Sequence, residues 1–184
     1  MKILMSQRDV RIPPNNFLFD CLERSWYDLL HRHQLLPVAN IGVIDETIDF
    51  DCLILTGGPD SIARHTTEDL LFAHALKLNK PIVGICHGAF TVNDLTGGTN
   101  GRIADHTDTT HMVNMEGSTH IVNSYHSQYI QTMGPDMISI AEDLDGNTEA
   151  FQDKTRPIYG VVWHPERMKN PVLPSVVKKL LEVD

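Results

Sequence analysis

The strongest chemical signal in this sequence is a cysteine between two closely spaced glycines. Residues 81–90 read PIVGICHGAF, an order that predicts a buried strand, a sharp turn and the start of a helix. Cys86 falls on the bend, where its sulfur stands clear of the backbone. The partial positive charge at a helix N-terminus stabilises an anion, so this position favours the thiolate. The pattern therefore indicates a cysteine nucleophile.

A histidine and a glutamate near the C-terminus could complete such a site. His164 and Glu166 flank Pro165, directly after an apolar run over residues 158–163. In an extended segment, side chains two residues apart point to the same face, so these two can lie side by side. Histidine can act as general base and then as general acid, while the carboxylate orients the imidazole. We therefore predict Cys86, His164 and Glu166 as catalytic residues.

Attack of a thiolate on a carbonyl also requires two hydrogen-bond donors for the oxyanion. The backbone N–H of His87, at the predicted helix start, is one candidate. The other is that of Gly58, in the sequence TGGP at residues 56–59, because paired glycines after a strand let the backbone turn and present its N–H groups. Each motif taken alone also fits an ordinary turn. Their joint occurrence, in this order, favours catalysis.

The rest of the chain is expected to hold these segments at one edge of a sheet. Strand and helix patterns alternate in the first half, which predicts an α/β fold with a mostly parallel central sheet, helices on both faces and a nucleophile elbow after a central strand. In such sheets ligands bind at the carboxyl ends of the strands. The predicted strands cover residues 2–6, 37–41, 50–55 and the segment before Cys86, and the predicted helices run from Phe19 to before Pro37 and from a capping box at Thr66 and Asp69 to Leu78.

After about residue 97 the pattern changes to short strands and turns. We interpret this region as a small antiparallel addition laid over the sheet edge. Since no repeat or linker-like stretch occurs, we expect one domain over residues 1–184. The predicted elements are short strands at 120–124 and 137–141, a hairpin turn at 145–147, an apolar strand at 158–163 and a closing helix within 171–183.

Composition argues against several classes of function. The net charge is −9 and no basic tract occurs, which argues against nucleic acid or an anionic membrane as partner. No window approaches the ~20 apolar residues of a membrane span, and the N-terminal apolar run is too short for a signal peptide. Cys21, Cys52 and Cys86 are an odd number without a CxxC pair, which argues against a disulfide framework or a zinc ribbon. We expect a cytoplasmic protein.

In their order and spacing, the motifs at residues 56–59, 84–88 and 164–166 resemble those of the class I, or triad, glutamine amidotransferase family. The resemblance spans nearly the whole chain. It implies an α/β domain and a cysteine-dependent cleavage of an amide bond, with the catalytic and oxyanion roles assigned to the residues named above.

Within that family, the stretches SQR at 6–8, HMV at 111–113 and VNSYHSQ at 122–128 are most similar to the branch of stand-alone γ-glutamyl hydrolases. That branch includes enzymes that cleave γ-glutamyl-γ-aminobutyrate. It also includes relatives, encoded with bacterial surface-polysaccharide genes, that release glutamate from a γ-glutamyl nucleotide amidate.

The resemblance also implies a loop that binds the α-amino and carboxylate groups of the glutamyl moiety. Its residues here are Tyr125, Ser127 and Gln128, and edge-strand packing is the alternative for Tyr125 and His126. One position departs from the family: many relatives have glutamine where this chain has Phe90. An aromatic ring cannot replace the polar contact that the glutamine makes with the substrate.

We expect no cofactor and no metal. His106 and His111 are interpreted as structural or rim residues, because no cysteine or carboxylate at ligand spacing lies near them in the sequence.

The leading hypothesis is a hydrolase that cleaves the γ-glutamyl amide bond of a small conjugate, such as a nucleotide amidate in surface-polysaccharide biosynthesis, through a thioester on Cys86. One alternative is a glutaminase subunit that supplies ammonia to a separate synthase. Another is a non-catalytic binding or regulatory module of the same fold. A peptidase or chaperone of the related cysteine-elbow superfamily is a weaker alternative, because those relatives generally lack the His-Pro-Glu ending. Expected partners are a small-molecule substrate and either a synthase or a second copy of this chain.

Overall fold

The computed structural model describes residues 1–104 and 106–183, which contain thirteen β strands and four α helices. In this part of the chain, no helix combines the length and the apolar character that crossing a bilayer requires. The strands are β1 (Lys2–Ser6), β2 (Arg8–Ile12), β3 (Phe17–Cys21), β4 (Gln34–Val38), β5 (Cys52–Leu55), β6 (Ile82–Ile85), β7 (Thr99–Arg102), β8 (Thr107–Met115), β9 (Ser118–Tyr125), β10 (Gln128–Thr132), β11 (Met137–Asp143), β12 (Thr148–Asp153) and β13 (Ile158–Val161). The helices are α1 (Arg24–Leu29), α2 (Ile62–Lys77), α3 (His87–Leu95) and α4 (Ser175–Leu180), and a 3-10 turn covers Pro165–Arg167.

Nine strands form one sheet in the order β4-β1-β5-β6-β13-β12-β11-β8-β9. The strands from β4 to β13 pair in parallel, and the pairs from β13 to β9 are antiparallel. The predicted α/β class is confirmed, as is the hairpin between β11 and β12. The placement of the antiparallel part was wrong: it continues the same sheet by pairing with β13 and does not lie over the sheet edge. Strand β13 therefore joins the two halves.

The two faces of the sheet bury two separate cores, because side chains alternate along each strand. Ile3 and Met5 of β1 enter one core and Leu4 enters the other. The first core includes Trp26 of α1 and Val177 of α4. The second contains the apolar side chains of α2 and α3. Helices thus cover both faces, as predicted.

The predicted helix from Phe19 to before Pro37 is confirmed only over α1, which is six residues long, and its bounds were wrong. The helical spacing does mark a buried face, because Trp26 and Leu30 lie in the first core. Residues 17–21 instead form β3, which pairs with β2 in a two-stranded hairpin and leaves Phe19 44% exposed. Aromatic residues favour strands, and pairing with β2 satisfies the backbone. The next strand, β4, lies at 34–38, three residues before the predicted position.

Helix α2 begins one turn earlier than predicted. Ser61 accepts a hydrogen bond from the backbone N–H of Arg64 at 3.1 Å, so Ser61 caps the helix and the proposed box at Thr66 and Asp69 does not. The hydroxyl of Thr66 instead donates to the carbonyl oxygen of Ile62, one turn back. The earlier start places Arg64 inside the helix.

Candidate active site

Cys86 stands on a tight bend between β6 and α3. Its backbone has φ 51° and ψ −108°, a conformation that residues with a side chain rarely adopt and that is typical of functional positions. The bend requires glycine on both sides. A Cβ at Gly88 would collide with the carbonyl oxygen of Leu55, and one at Gly84 would collide with the backbone of Gly88. The predicted elbow is therefore present, and its glycines allow it.

His164 and Glu166 follow β13, the strand next to β6 in the sheet, where Val161 pairs with Ile85. The imidazole Nδ1 of His164 donates to Glu166 Oε1 over 2.6 Å, and both side chains are buried. Burial lowers the pKa of His164, but hydrogen bonds and charge interactions with Cys86 and Glu166 outweigh this and raise the pKa to about 9. The structure thus brings the three residues together and leaves His164 protonated at neutral pH.

Asn123 of β9 holds the backbone of His164. The side-chain Nδ2 of Asn123 donates to the carbonyl oxygen of His164 at 2.8 Å, and its Oδ1 accepts from the N–H of His164 at 2.8 Å. These two hydrogen bonds fix the position and the orientation of the His164 backbone. The antiparallel half of the sheet therefore helps to orient the His164 imidazole. Asn123 was not predicted as a site residue, although it lies in the stretch VNSYHSQ that supports the family resemblance. It lies 41 positions from His164, and only the folded structure shows that the two residues are in contact.

A buried arginine shapes the loop that contains Gly58. Gly58 has φ 131°, a region that favours glycine. Arg64 of α2 is 0% exposed and donates to the backbone carbonyls of Thr56 and Pro59, the latter at 3.1 Å. Both ends of the loop are therefore held from within the protein.

Glu68 connects this loop to the start of α3. Its carboxylate accepts from Ser6 Oγ at 2.7 Å, from Arg64 Nε at 2.9 Å and from His87 Nε2 at 3.1 Å. Burial raises the pKa of Glu68, but the hydrogen bond from His87 and the charge of Arg64 outweigh this and lower it. The carboxylate stays ionised and ties Gly58 to the elbow. Arg64 and Glu68 show only a four-residue helical spacing in the sequence, which is also the spacing of exposed ion pairs.

The predicted oxyanion and substrate-binding residues line one cleft of about 170 Å³. His87 is the first residue of α3, so its N–H has no acceptor within the helix. His164 and Glu166 are buried beside this cleft, next to Cys86. The lining includes Gly58, Cys86, His87, Tyr125, Ser127 and Gln128.

Two aromatic residues form walls of the cleft. Tyr125 ends β9 and is 41% exposed. Its ring meets the ring of His164 edge-on at a centroid distance of 5.6 Å, and the Arg167 guanidinium lies 4.9 Å from its centroid. Phe90 is buried, with its ring centroid 6.1 Å from that of His126. An apolar ring thus occupies the place where the family resemblance implies a polar contact.

His106 and His111 do have a carboxylate near them. Oε2 of Glu149 lies 3.3 Å from His111 Nε2 and 3.8 Å from His126 Nε2. The reason given for treating His106 and His111 as merely structural or rim residues was therefore wrong. The four residues come from different segments of the antiparallel half of the sheet, so sequence spacing could not reveal their proximity.

The sheet with a cysteine elbow and a histidine–glutamate pair at the carboxyl ends of neighbouring strands defines a class of amide-cleaving enzymes, and comparison with known proteins agrees. Residues 34–166 match the family described as Peptidase C26. The chain belongs to this family of class I glutamine amidotransferases and is a hydrolase of the glutamine amidotransferase type. The family resemblance of the three motifs is confirmed.

Relatives share this size and fold. The glutamine amidotransferase-like protein YvdE of Lactococcus lactis is 28% identical over 179 residues, covering 76% of each chain. The γ-glutamyl-CDP-amidate hydrolase of Campylobacter jejuni is 27% identical over 164 residues, covering 80% of this chain and 81% of that protein. Among solved structures, a glutamine amidotransferase from Thermotoga maritima has a TM-score of 0.71 and 16% identity, covering 98% of this chain and 80% of the other.

Proposed function

We propose that this enzyme hydrolyses the γ-glutamyl amide bond of a small conjugate, with Cys86 as nucleophile. The observation that carries the proposal is the geometry at the elbow. A strained cysteine stands next to His164, whose ring is bound by Glu166 at 2.6 Å. The C. jejuni relative, a γ-glutamyl-CDP-amidate hydrolase, supports the same substrate class.

In the proposed first step, the Cys86 thiolate attacks the γ-carbonyl carbon and the carbonyl electrons move to oxygen. The backbone N–H groups of Gly58 and His87 bind the resulting oxyanion. Both residues line the cleft with Cys86. Loss of one such donor lowers the rate ~10²–10³-fold in other hydrolases. The loop that contains Gly58, which Arg64 holds, should therefore contribute to the rate as much as His164 and Glu166 do.

Collapse of the intermediate breaks the C–N bond and leaves a γ-glutamyl thioester on Cys86. His164, whose pKa is about 9, gives its proton to the leaving amine. The now neutral imidazole removes a proton from water, and the hydroxide attacks the thioester carbonyl. Glutamate leaves, and the thiolate and the imidazolium are restored. Glu166 stabilises the imidazolium at the start and at the end of this cycle.

We propose Tyr125, Ser127 and Gln128 as the residues that bind the α-amino and carboxylate groups of the substrate, because they line the same cleft as Cys86. Phe90 offers no hydrogen bond there. A conjugate with a larger leaving group, such as a nucleotide amidate, gains contacts beyond the glutamyl moiety that free glutamine lacks. We therefore propose a γ-glutamyl conjugate as the substrate.

The test is glutamate release by the purified chain alone. Free glutamine, a panel of γ-glutamyl amines and γ-glutamyl nucleotide amidates are compared, with Cys86→Ala as the inactive variant. Cys52→Ala is the matched control, because burial raises the pKa of the Cys52 thiol to about 12 and keeps it unreactive.

Turnover of one conjugate that is lost in Cys86→Ala and kept in Cys52→Ala supports the proposal. Undiminished activity in Cys86→Ala overturns it. Cleavage of glutamine only after a synthase is added would instead assign the chain as an ammonia-delivering subunit.

A further inference from the structure

Three histidines and a glutamate meet beside the cleft. One ligand atom from each of His106, His111, His126 and Glu149 lies within 4.8 Å of those of the others. His106 directly precedes β8 and His111 lies in its middle, His126 lies in the connection between β9 and β10, and Glu149 lies in β12. The three imidazole rings pack on one another with centroids 5.0 to 6.0 Å apart.

Several polar atoms of these side chains are buried without a hydrogen-bond partner, although His106 and His111 as whole residues are half-buried. Glu149 is 1% exposed and His126 is 4% exposed. Oε2 of Glu149 lies 3.3 Å from His111 Nε2, but outside hydrogen-bond geometry. Among the described residues, ten buried side-chain nitrogen and oxygen atoms lack a hydrogen-bond partner, and five of them belong to this cluster: His106 Nδ1, both ring nitrogens of His111, His126 Nε2 and Glu149 Oε2. Such a concentration is unusual, since buried polar groups are normally paired, and it indicates an additional occupant.

His126 is oriented as a ligand. Its Nδ1 donates to the backbone carbonyl of Gln128 at 2.8 Å, and since a carbonyl can only accept, the proton is on Nδ1. Nε2 then carries a free lone pair, has no hydrogen-bond partner, and lies 3.8 Å from Glu149 Oε2. Metal-binding histidines commonly use one ring nitrogen in this way to fix the other.

The distances suit a small tetrahedral ion. Zinc bound at about 2.0–2.1 Å holds neighbouring ligand atoms about 3.3 Å apart. His111 Nε2 and Glu149 Oε2 already have this separation, 3.3 Å, and His126 Nε2 lies 3.8 Å from the same oxygen. The ligand atoms all lie within 4.8 Å of one another, so side-chain rotations would bring the wider pairs to bonding distance. Imidazole nitrogens with one carboxylate are ligands that zinc prefers. We infer that His106, His111, His126 and Glu149 form a zinc site.

The site would be structural, because four protein ligands complete a tetrahedron and leave no position for water or substrate. Its effect would reach the cleft through His126, which lines the cleft between Tyr125 and Ser127. Zinc would connect this segment to β8 and β12. It would therefore fix the neighbouring residues Tyr125, Ser127 and Gln128, which line the same cleft as Cys86.

The test measures bound zinc per chain by elemental analysis, after equilibration with zinc chloride and removal of the excess. All proteins carry Cys86→Ala, so that the thiol cannot bind the metal and the result does not depend on catalysis. We expect about one zinc per chain in this parent. His111→Ala and Glu149→Gln should each reduce it at least ten-fold, and the exposed His31→Gln should leave it unchanged.

Thermal unfolding of the parent protein tests the site without any ligand substitution. Zinc at 100 times its dissociation constant should raise the melting temperature by roughly 5–10 °C, and a chelator should reverse the rise. A parent that binds no zinc and melts at the same temperature with and without it would overturn the proposal. Equal zinc contents in the parent and in folded His111→Ala would do so as well. In that case a proton held between His111 and Glu149 would be the occupant.

Discussion

Replacing Glu166 by glutamine isolates the contribution of one negative charge to the proposed mechanism. Glu166 Oε1 accepts from His164 Nδ1 at 2.6 Å, and both residues are buried, with 7% and 2% exposure. Glutamine has nearly the same shape and can still accept through its amide oxygen. The packing around the imidazole should therefore change little, and the lost charge should dominate the outcome.

The size of the effect follows from the pKa of His164. Burial lowers this pKa, yet the interactions with Cys86 and Glu166 raise it from 6.5 to about 9. The difference corresponds to roughly 3 kcal/mol in favour of the imidazolium. If Cys86 and Glu166 share the effect about equally, removal of one partner should lower the pKa by about 1 to 2.

The assay is the pH dependence of kcat/KM for glutamate release from the best γ-glutamyl conjugate. The leaving amine takes its proton from His164, so activity should decline as pH rises through the pKa of this residue. The wild-type enzyme should stay active to a pH of about 9. In Glu166→Gln the alkaline decline should begin about 1 to 2 pH units lower, and kcat near neutral pH should fall ~10²–10⁴-fold.

Glu166→Asp and Glu142→Gln are the controls. Glu166→Asp keeps the carboxylate charge and should keep most of the alkaline limb. Glu142→Gln removes an exposed carboxylate that does not line the cleft. An alkaline limb in Glu166→Gln that coincides with that of the wild type, in a folded protein with a lower rate, would refute the reasoning. Glu166 would then act by orientation alone.

Three further predictions test the supports of the site. Cys86→Ala should lower kcat at least ~10⁴-fold while the melting temperature changes little, because Cys86 lies at the N-terminus of α3 and the substitution removes only one sulfur atom from the first core. Asn123→Ala removes both 2.8 Å bonds to the backbone of His164 and should lower kcat ~10–100-fold, measured together with the melting temperature, with a smaller effect on KM. Arg64→Gln leaves the buried Glu68 carboxylate, 0% exposed, without its cation, and should destabilise the fold by roughly 3–5 kcal/mol in urea unfolding.

Each of these variants has a control or a contradicting result. Arg102→Gln removes an exposed arginine and should leave stability within ~0.5 kcal/mol. If Arg64→Gln were as stable as the wild-type protein, the ion pair between Arg64 and Glu68 would not be needed to hold the loop that contains Gly58. A folded Asn123→Ala with normal kcat would mean that other contacts position His164, and a marked loss of stability in Cys86→Ala would show that the thiol packs as core.

The catalytic motifs could be predicted because each is contiguous in the chain. The bend at Cys86 needs a positive φ at the cysteine and glycine on both sides of it, and residues 84–88 meet all of these conditions. The bend is therefore determined by a short segment of the chain. The alternation of strands and helices in the first half likewise reflects short-range periodicity. These features led to the α/β class and to the placement of Gly58 and Cys86 at one edge of the sheet.

The bounds of the N-terminal helix were wrong for the opposite reason, although α1 lies within the predicted range. Apolar residues at helical spacing after Phe19 compete with the strand preference of the aromatic residues before it, and the outcome depends on pairing of β3 with β2. A similar error affected the second half, where antiparallel strands were recognised but their attachment to β13 was not. Such pairings join residues that are far apart in the chain, and local preferences carry no information about them.

The chemistry that this chain can perform was readable from residues close together in sequence, because reactivity depends on side-chain type and on bends that a few neighbours create. What holds that chemistry in place was decided only in three dimensions. Asn123 forms hydrogen bonds with the backbone of His164, 41 positions away in the chain. Glu149 lies 3.3 Å from His111, which belongs to a different strand. The buried ion pair between Arg64 and Glu68 looks in the sequence like an ordinary helical pair. Only the structure shows that Arg64 binds the backbone carbonyls of Thr56 and Pro59. The positions of His164 and of the cluster of three histidines and Glu149 depend on long-range contacts, and the folded sheet creates those contacts.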